Sequence, residues 1–171
     1  MKVNEFVMWI YPQAKAMNEI DPVFVTAQAA LESGWGKSAI GNNLFGITKG
    51  SSWKGAVQLV NTTEYFKTPN RTFIPPEKVI SVLPLANGTY KYSVKRLFRD
   101  YATVADCLAD HLAILKKSGY ADAWLYRNDA RRYVRKIQDC IGSKYATSPD
   151  YVNTMDKLFV MIEKVIKEEN L

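Results

Sequence analysis

Apolar residues recur at helical spacing in the first third of the chain. Phe6, Ile10, Ala14 and Met17 share one stripe of a helix, and Pro12 must either kink that helix or open a fresh one. Asp21-Pro22 predicts the next helix start, because the aspartate can accept from the free amides of the first turn and proline is tolerated at the first helical position. This second helix carries Phe24, Gln28, Leu31 and Glu32 along one stripe, and Ser33-Gly34 supplies a residue able to turn the chain out. Glu32 therefore falls on the last turn.

From residue 53 to 98 the pattern changes. Val57-Gln58-Leu59-Val60-Asn61-Thr62-Thr63-Glu64-Tyr65-Phe66 is rich in β-branched and aromatic residues and lacks helical periodicity, which predicts strand. Segments 79–85 and 89–94 flank Asn87-Gly88, a dipeptide suited to positive φ at both central turn positions, so a hairpin is expected there, with Pro84 placing its strand at an edge. Helices return at Thr103, where Thr103 and Asp106 resemble a capping box and Val104, Leu108, Leu112 and Leu115 form an apolar face. Another helix is expected from about Asp129 to Cys140, with Val134, Ile137 and Ile141 inward and Gly142 past its end. A closing helix begins at Ser148-Pro149 and carries Val152, Met155, Leu158 or Phe159, Ile162 and Val165. The order is helices, a small antiparallel sheet, then helices: an α+β chain, mainly α.

A length of 171 residues and 47% hydrophobic composition suffice for one core, so a single catalytic domain filling residues 1–171, with a β-rich insertion at about 53–97, is expected. No apolar run reaches the roughly 18 residues of a membrane span, and residues 1–20 mix Lys2, Glu5, Lys15 and Glu19 among their apolar residues, unlike a secretory signal. The net charge of +6 draws the surface towards polyanions, including nucleic acid, anionic lipid and acidic wall polymers. Only Arg131, Arg132, Arg135 and Lys136 cluster, and a solvated helix face is the commoner reading of such a cluster than a nucleic-acid tract. Cys107 and Cys140 lie in apolar helical patterns, which favours buried free thiols over a disulfide.

One histidine and two separated cysteines cannot supply the clustered ligands that zinc sites usually need, and no Gly-rich phosphate loop occurs, so no metal and no cofactor is expected. A nucleophile pair would have to use His111, which lies among Leu108, Leu112 and Leu115 and suits a structural hydrogen bond better. Carboxylates remain. Glu32 has Ala29, Ala30, Leu31, Gly34 and Trp35 around it rather than cations, so lost hydration and the negative end of the helix dipole both favour its protonated form. Such a group suits a general acid that protonates a glycosidic oxygen as the sugar leaves. On local sequence alone a surface glutamate is the commoner reading.

The run Ala27-Gln28-Ala29-Ala30-Leu31-Glu32-Ser33-Gly34-Trp35-Gly36-Lys37-Ser38, followed by Asn43-Leu44-Phe45-Gly46-Ile47, resembles the signature of the glycoside hydrolase family 73 glucosaminidases. The resemblance continues through Trp53-Lys54-Gly55, Thr62-Thr63-Glu64-Tyr65, Phe98-Arg99-Asp100-Tyr101 and Lys144-Tyr145-Ala146-Thr147-Ser148-Pro149-Asp150-Tyr151, covering nearly the whole chain. It implies a lysozyme-like helical lobe with a small β lobe forming a cleft, and hydrolysis of the N-acetylglucosaminyl-β-1,4-N-acetylmuramic acid linkage of peptidoglycan. It also implies Glu32 as general acid, Glu64 as second carboxylate and Tyr145 as an active-site tyrosine. Glu64 could activate water, or act with Tyr145 on an intermediate formed by the substrate's own acetamido group, and the stereochemistry stays open.

Trp35, Phe45, Trp53 and Tyr151 are candidates for stacking on sugar faces, and Asn43 for a hydrogen bond to an acetamido group, although large aromatics are more often core. The stretch 66–97 is longer than expected for the family and could extend the substrate groove, cap it, or contact a partner. Peptidoglycan is the expected partner of a monomer that binds no nucleic acid and does not insert into membrane. The absence of a signal fits a stand-alone phage lysin, made in the cytoplasm and released to the wall by a separate membrane-permeabilising protein, or else carried in the virion. A lytic transglycosylase and a non-catalytic wall-binding or tail protein are the rival readings.

Overall fold

The computed structural model describes residues 1–139 and 150–171. Helices α1 (Val3–Met17), α2 (Pro22–Ser33), α3 (Val104–Leu115), α4 (Ala121–Trp124), α5 (Ala130–Asp139) and α6 (Tyr151–Glu169) accompany strands β1 (Val57–Phe66), β2 (Lys78–Pro84) and β3 (Tyr90–Arg99). The chain divides into two compact units, one of Met1–Phe45 with Ala102–Leu171 and the other of Gly46–Tyr101. The β-rich stretch expected at about 53–97 falls inside the second unit. No described helix is long and apolar enough to cross a membrane.

In the helical unit α2 is the central element, packed against α1, α5 and α6. The sequence suggested a single apolar stripe. Phe24 to Ala30 are instead all buried, polar Thr26 and Gln28 included. Between Asp21 and Glu32 the helix carries no charge that would need solvent, and Ala27, Ala29 and Ala30 are small enough to let neighbouring helices approach. Thr26 satisfies its hydroxyl by donating to Pro22 O at 2.7 Å. The start is as expected: Asp21 accepts from Val23 N at 2.9 Å. Pro12 neither ends α1 nor opens a new helix, since Val3–Met17 is continuous through it.

The α3 capping box forms, with Thr103 Oγ1 accepting from Asp106 N at 3.1 Å and Asp106 Oδ2 accepting from Thr103 N at 3.0 Å. In α6 the buried stripe is Tyr151, Met155, Leu158, Phe159, Ile162 and Val165. The basic cluster on α5 is a solvated face. Arg131 forks onto Glu163 at 2.6 and 2.8 Å, Arg135 reaches Asp156 at 2.6 Å, and Arg132 and Lys136 sit over the Tyr126 ring. Cys140, Ile141, Gly142, Tyr145, Ser148 and Pro149 lie outside the described residues.

Cys107 is a free, fully buried thiol, and burial pushes its pKa up to about 11. Only the thiolate reacts readily. Iodoacetamide at pH 8 should therefore leave the Cys107 peptide unlabelled in native protein and label it after denaturation, as read by peptide mass mapping.

In the second unit the strand order is β1-β3-β2, all antiparallel. β1 pairs along the full length of β3, from Val57 opposite Arg99 to Phe66 opposite Tyr90. The Asn87-Gly88 hairpin returns the chain from β2, but positive φ, expected at both residues, is taken by Gly88 alone at +78°: the turn is wider, with Gly88 N donating to Leu85 O at 3.1 Å and Leu85 N to Thr89 O at 2.8 Å. β2 thus lies on the far edge of β3, as Pro84 requires. Where β2 stops, segment 47–49 takes its place beside β3: Lys49 N donates to Leu97 O at 2.8 Å and Arg99 N to Ile47 O at 3.0 Å.

Candidate active site

The path of α2 sets the position of Glu32. At its end three successive residues have left-handed backbone: Gly34 at φ +56°, Trp35 at +59° and Gly36 at +79°. Glycine takes this conformation at no steric cost, whereas for tryptophan it costs on the order of 1–3 kcal/mol and must be held by its surroundings. The holding groups are identifiable. Trp35 N donates to Ala30 O at 2.9 Å, and Ser38 N to Ser33 O at 2.8 Å. Ser33 Oγ donates to Ala29 O at 2.5 Å and accepts from Gly36 N at 2.9 Å. The Trp35 ring meets Phe6 edge-on, centroids 5.6 Å apart.

Glu32, on the last turn of α2, keeps an exposed face, and among the described residues no hydrogen bond reaches its carboxylate. Loss of hydration nevertheless raises its pKa above the ordinary carboxyl value. A group with a raised pKa, one face to solvent and no partner to hold its proton is equipped to donate that proton. One turn earlier, Gln28 Nε2 donates to the Tyr151 hydroxyl at 3.0 Å. Burial, and then the nearby Glu32 charge, raise the Tyr151 phenol above its ordinary value.

Two of the residues expected to touch substrate are buried. Tyr151 is 3% exposed and Asn43 1%, so neither presents a face to a sugar. Asn43 closes a loop, its amide donating to Ile40 O at 2.9 Å and its carbonyl accepting from Ile40 N at 3.2 Å. Half-buried Phe45 stacks on the His111 ring at 3.7 Å between centroids. Burial pushes His111 down to about 3, so at neutral pH it is an uncharged packing partner. In the other unit Trp53 donates from Nε1 to Ala56 O at 2.9 Å, lies edge-on to Tyr101 and carries the Arg99 guanidinium 4.7 Å from its ring centroid. Of the aromatic candidates, Trp35, Phe45 and Trp53 are half-buried and keep an open part. Tyr145 lies outside the described residues.

Glu64 stands on β1 with its side chain on the face shared by Tyr92 and Arg96. Arg96 Nη1 is 3.3 Å from Glu64 Oε1, and its Nε is 3.3 Å from Oε1 of Glu77. Glu77 also accepts from Leu97 N at 2.8 Å, filling the gap in the ladder between β2 and segment 47–49. The same sheet face is roofed by the stretch after β1. Tyr92 donates to Thr68 O at 2.7 Å and accepts from Arg71 N at 3.2 Å, while Phe73 lies against Phe66 and under the Arg96 guanidinium. No local sequence signal marked Arg96 or Glu77, because the pair forms only when the roof folds back over the sheet.

Tyr151→Phe would remove the acceptor of Gln28 Nε2, and Gln28 Oε1 already has no partner among the described residues. Leaving that buried amide unpaired is expected to cost about 1–3 kcal/mol. Thermal denaturation should show Tm falling by roughly 2–4 °C per kcal/mol.

The model of the glucosaminidase family, described as mannosyl-glycoprotein endo-beta-N-acetylglucosaminidase, matches residues 9–165. The chain belongs to the glucosaminidase family. It is 32% identical over 154 residues to the peptidoglycan hydrolase FlgJ of Salmonella typhimurium, covering 84% of this chain and 41% of that protein. It is 29% identical over 153 residues to the exo-glucosaminidase LytG of Bacillus subtilis, covering 86% and 45%. Among solved structures, a peptidoglycan hydrolase mutant from Sphingomonas sp. A1 superposes with TM-score 0.70 at 28% identity, covering 97% of this chain and 99% of that one. The chain spans about two fifths of the length of the first curated relatives it matches. Glu32 and its left-handed turn, Glu64 on its strand, and both tryptophans all fall within the glucosaminidase match.

Proposed function

We propose that this glucosaminidase-family chain hydrolyses the N-acetylglucosaminyl-β-1,4-N-acetylmuramic acid linkage of peptidoglycan, with Glu32 as proton donor. The observation that carries the reading is Glu32 itself: a carboxyl with raised pKa, an exposed face and no hydrogen-bond partner among the described residues, held at the end of a buried helix by a strained turn. Glu32 gives its proton to the bridging oxygen as the bond from that oxygen to C1 of N-acetylglucosamine breaks. Water, or first the substrate's own acetamido oxygen, takes the place of the leaving sugar at C1, and Glu64 steadies the charge or accepts the water proton. Overall one water is consumed and a reducing N-acetylglucosamine end is produced. The charge of +6 favours encounter with an acidic wall.

Digestion of purified peptidoglycan, borohydride reduction and mass spectrometry test the reading. Reduced N-acetylglucosamine ends are expected. Anhydromuramic ends would show a lytic transglycosylase instead, and no soluble product from any wall would leave a binding protein.

A further inference from the structure

Within the Gly46–Tyr101 unit a cavity of about 510 Å³ opens between segment 48–51 and segment 71–77, floored by Arg96 and Leu97. Its lining carries three cations, Lys49, Arg71 and Arg96, against one carboxylate, Glu77. That carboxylate is already engaged by Arg96 and the Leu97 amide. Among the described residues neither Lys49 nor Arg71 lies within ion-pair distance of an acidic side chain. Lys49 is held by its backbone bond to Leu97 O, and the Arg71 guanidinium rests 4.6 Å from the Phe66 ring centroid. Two cations without carboxylates thus line the cavity from its two bordering segments, together with apolar Phe73, Pro75 and Pro76.

The cavity is joined to the second carboxylate through one side chain, since the guanidinium that floors it also reaches Glu64 at 3.3 Å. A glycan strand engaged at Glu64 would bring what hangs from the neighbouring sugar to this opening. In peptidoglycan that appendage is a short peptide, joined through the lactyl group of N-acetylmuramic acid and bearing free carboxylates. We infer that this cavity is a subsite for the carboxylate-bearing stem peptide, with Lys49 and Arg71 as its anion-binding groups; the inference rests on the reading of the chain as a peptidoglycan hydrolase. The long stretch after β1 then has a definite role: it supplies Arg71 and the apolar wall, and makes cleavage sensitive to whether the glycan still carries its peptides.

The test compares peptide-bearing peptidoglycan with glycan strands stripped of peptide by an amidase, using wild type and Lys49→Ala/Arg71→Met. The methionine keeps an aliphatic stem over Phe66, and circular dichroism and Tm check folding. KM for the peptide-bearing substrate should rise roughly 2–30-fold, the range for two partly exposed ion pairs, with kcat and all values for stripped glycan unchanged. Added salt should shrink the difference, because such pairs are screened. Equal changes on both substrates, or none on either, would overturn the subsite. Should wild type cut neither substrate, the proposed activity falls. The subsite is then decided by NMR titration with the free tripeptide L-Ala-γ-D-Glu-L-Lys. Shifts of the Lys49 and Arg71 amides that vanish in the double variant would sustain it, and their absence would refute it.

Discussion

Glu32→Gln is expected to slow cleavage of purified peptidoglycan by about 10²–10⁴-fold, the contribution of a positioned general acid or base, while the protein stays folded. The amide keeps the shape of the side chain and removes only the donatable proton. Since lost hydration raises the Glu32 carboxyl above its ordinary value, more of it remains protonated as pH rises, and the residue can act as an acid where an ordinary glutamate is ionised. Activity should fall as pH rises through that raised value, and this alkaline limb of kcat/KM should disappear from whatever activity the variant retains. The stability effect has a definite sign. A carboxyl whose folded-state pKa is raised contributes stability below its unfolded value and loses it as pH climbs through the folded value. At neutral pH the ionised carboxylate therefore sits at a cost that glutamine avoids, so the Tm of the variant should equal or exceed that of wild type at pH 7, the gap closing in acid. A folded variant that clears walls at the wild-type rate would remove Glu32 from the chemistry. An inactive variant with lowered Tm would make the glutamate structural.

What the sequence made legible follows from the range over which each signal acts. The Asp21-Pro22 start, the Thr103 and Asp106 capping box and the Gly34 exit are settled by atoms within three or four residues of one another, and each forms as expected; the hairpin at Asn87-Gly88 also forms, but with positive φ at Gly88 and not at Asn87. The stripe read on α2 understated its burial because spacing alone weighs apolar positions. The uncharged run from Pro22 to Leu31 was the better indication of a helix enclosed on all sides. Residues whose role depends on distant partners were harder to read. Asn43 and Tyr151 were expected at substrate and are buried, while half-buried Phe45 stacks on His111. Arg96 and Glu77 had no sequence signal, since their pairing requires the roof over the sheet and the interruption of the ladder between β2 and segment 47–49.

The largest effect on stability is expected at Asp21, whose two carboxylate oxygens serve two helices. Oδ1 accepts from Val23 N at the start of α2, and Oδ2 accepts from Ala130 N at the start of α5, each at 2.9 Å. The Asp21 amide also donates to Arg127 O at 2.8 Å, fixing the segment before α5 against the same residue. Asparagine has one acceptor oxygen, so Asp21→Asn can cap only one of the helices and turns an N–H towards the other amide, at a cost of about 1–3 kcal/mol for the unpaired group. Asp21→Ala removes both acceptors, adding the loss of an N-cap, about 0.5–2 kcal/mol, for roughly 1.5–5 kcal/mol together. Thermal denaturation should rank wild type above Asp21→Asn above Asp21→Ala, with Tm falling about 2–4 °C per kcal/mol. Glu32 lies eleven residues further along the same helix, about 16 Å at 1.5 Å per residue, so wall cleavage per folded molecule at low temperature should survive both substitutions. Equal Tm for wild type and Asp21→Asn would mean that a single acceptor suffices. Loss of cleavage in variants that remain folded would mean that the start of α2 governs the placement of Glu32 at its end.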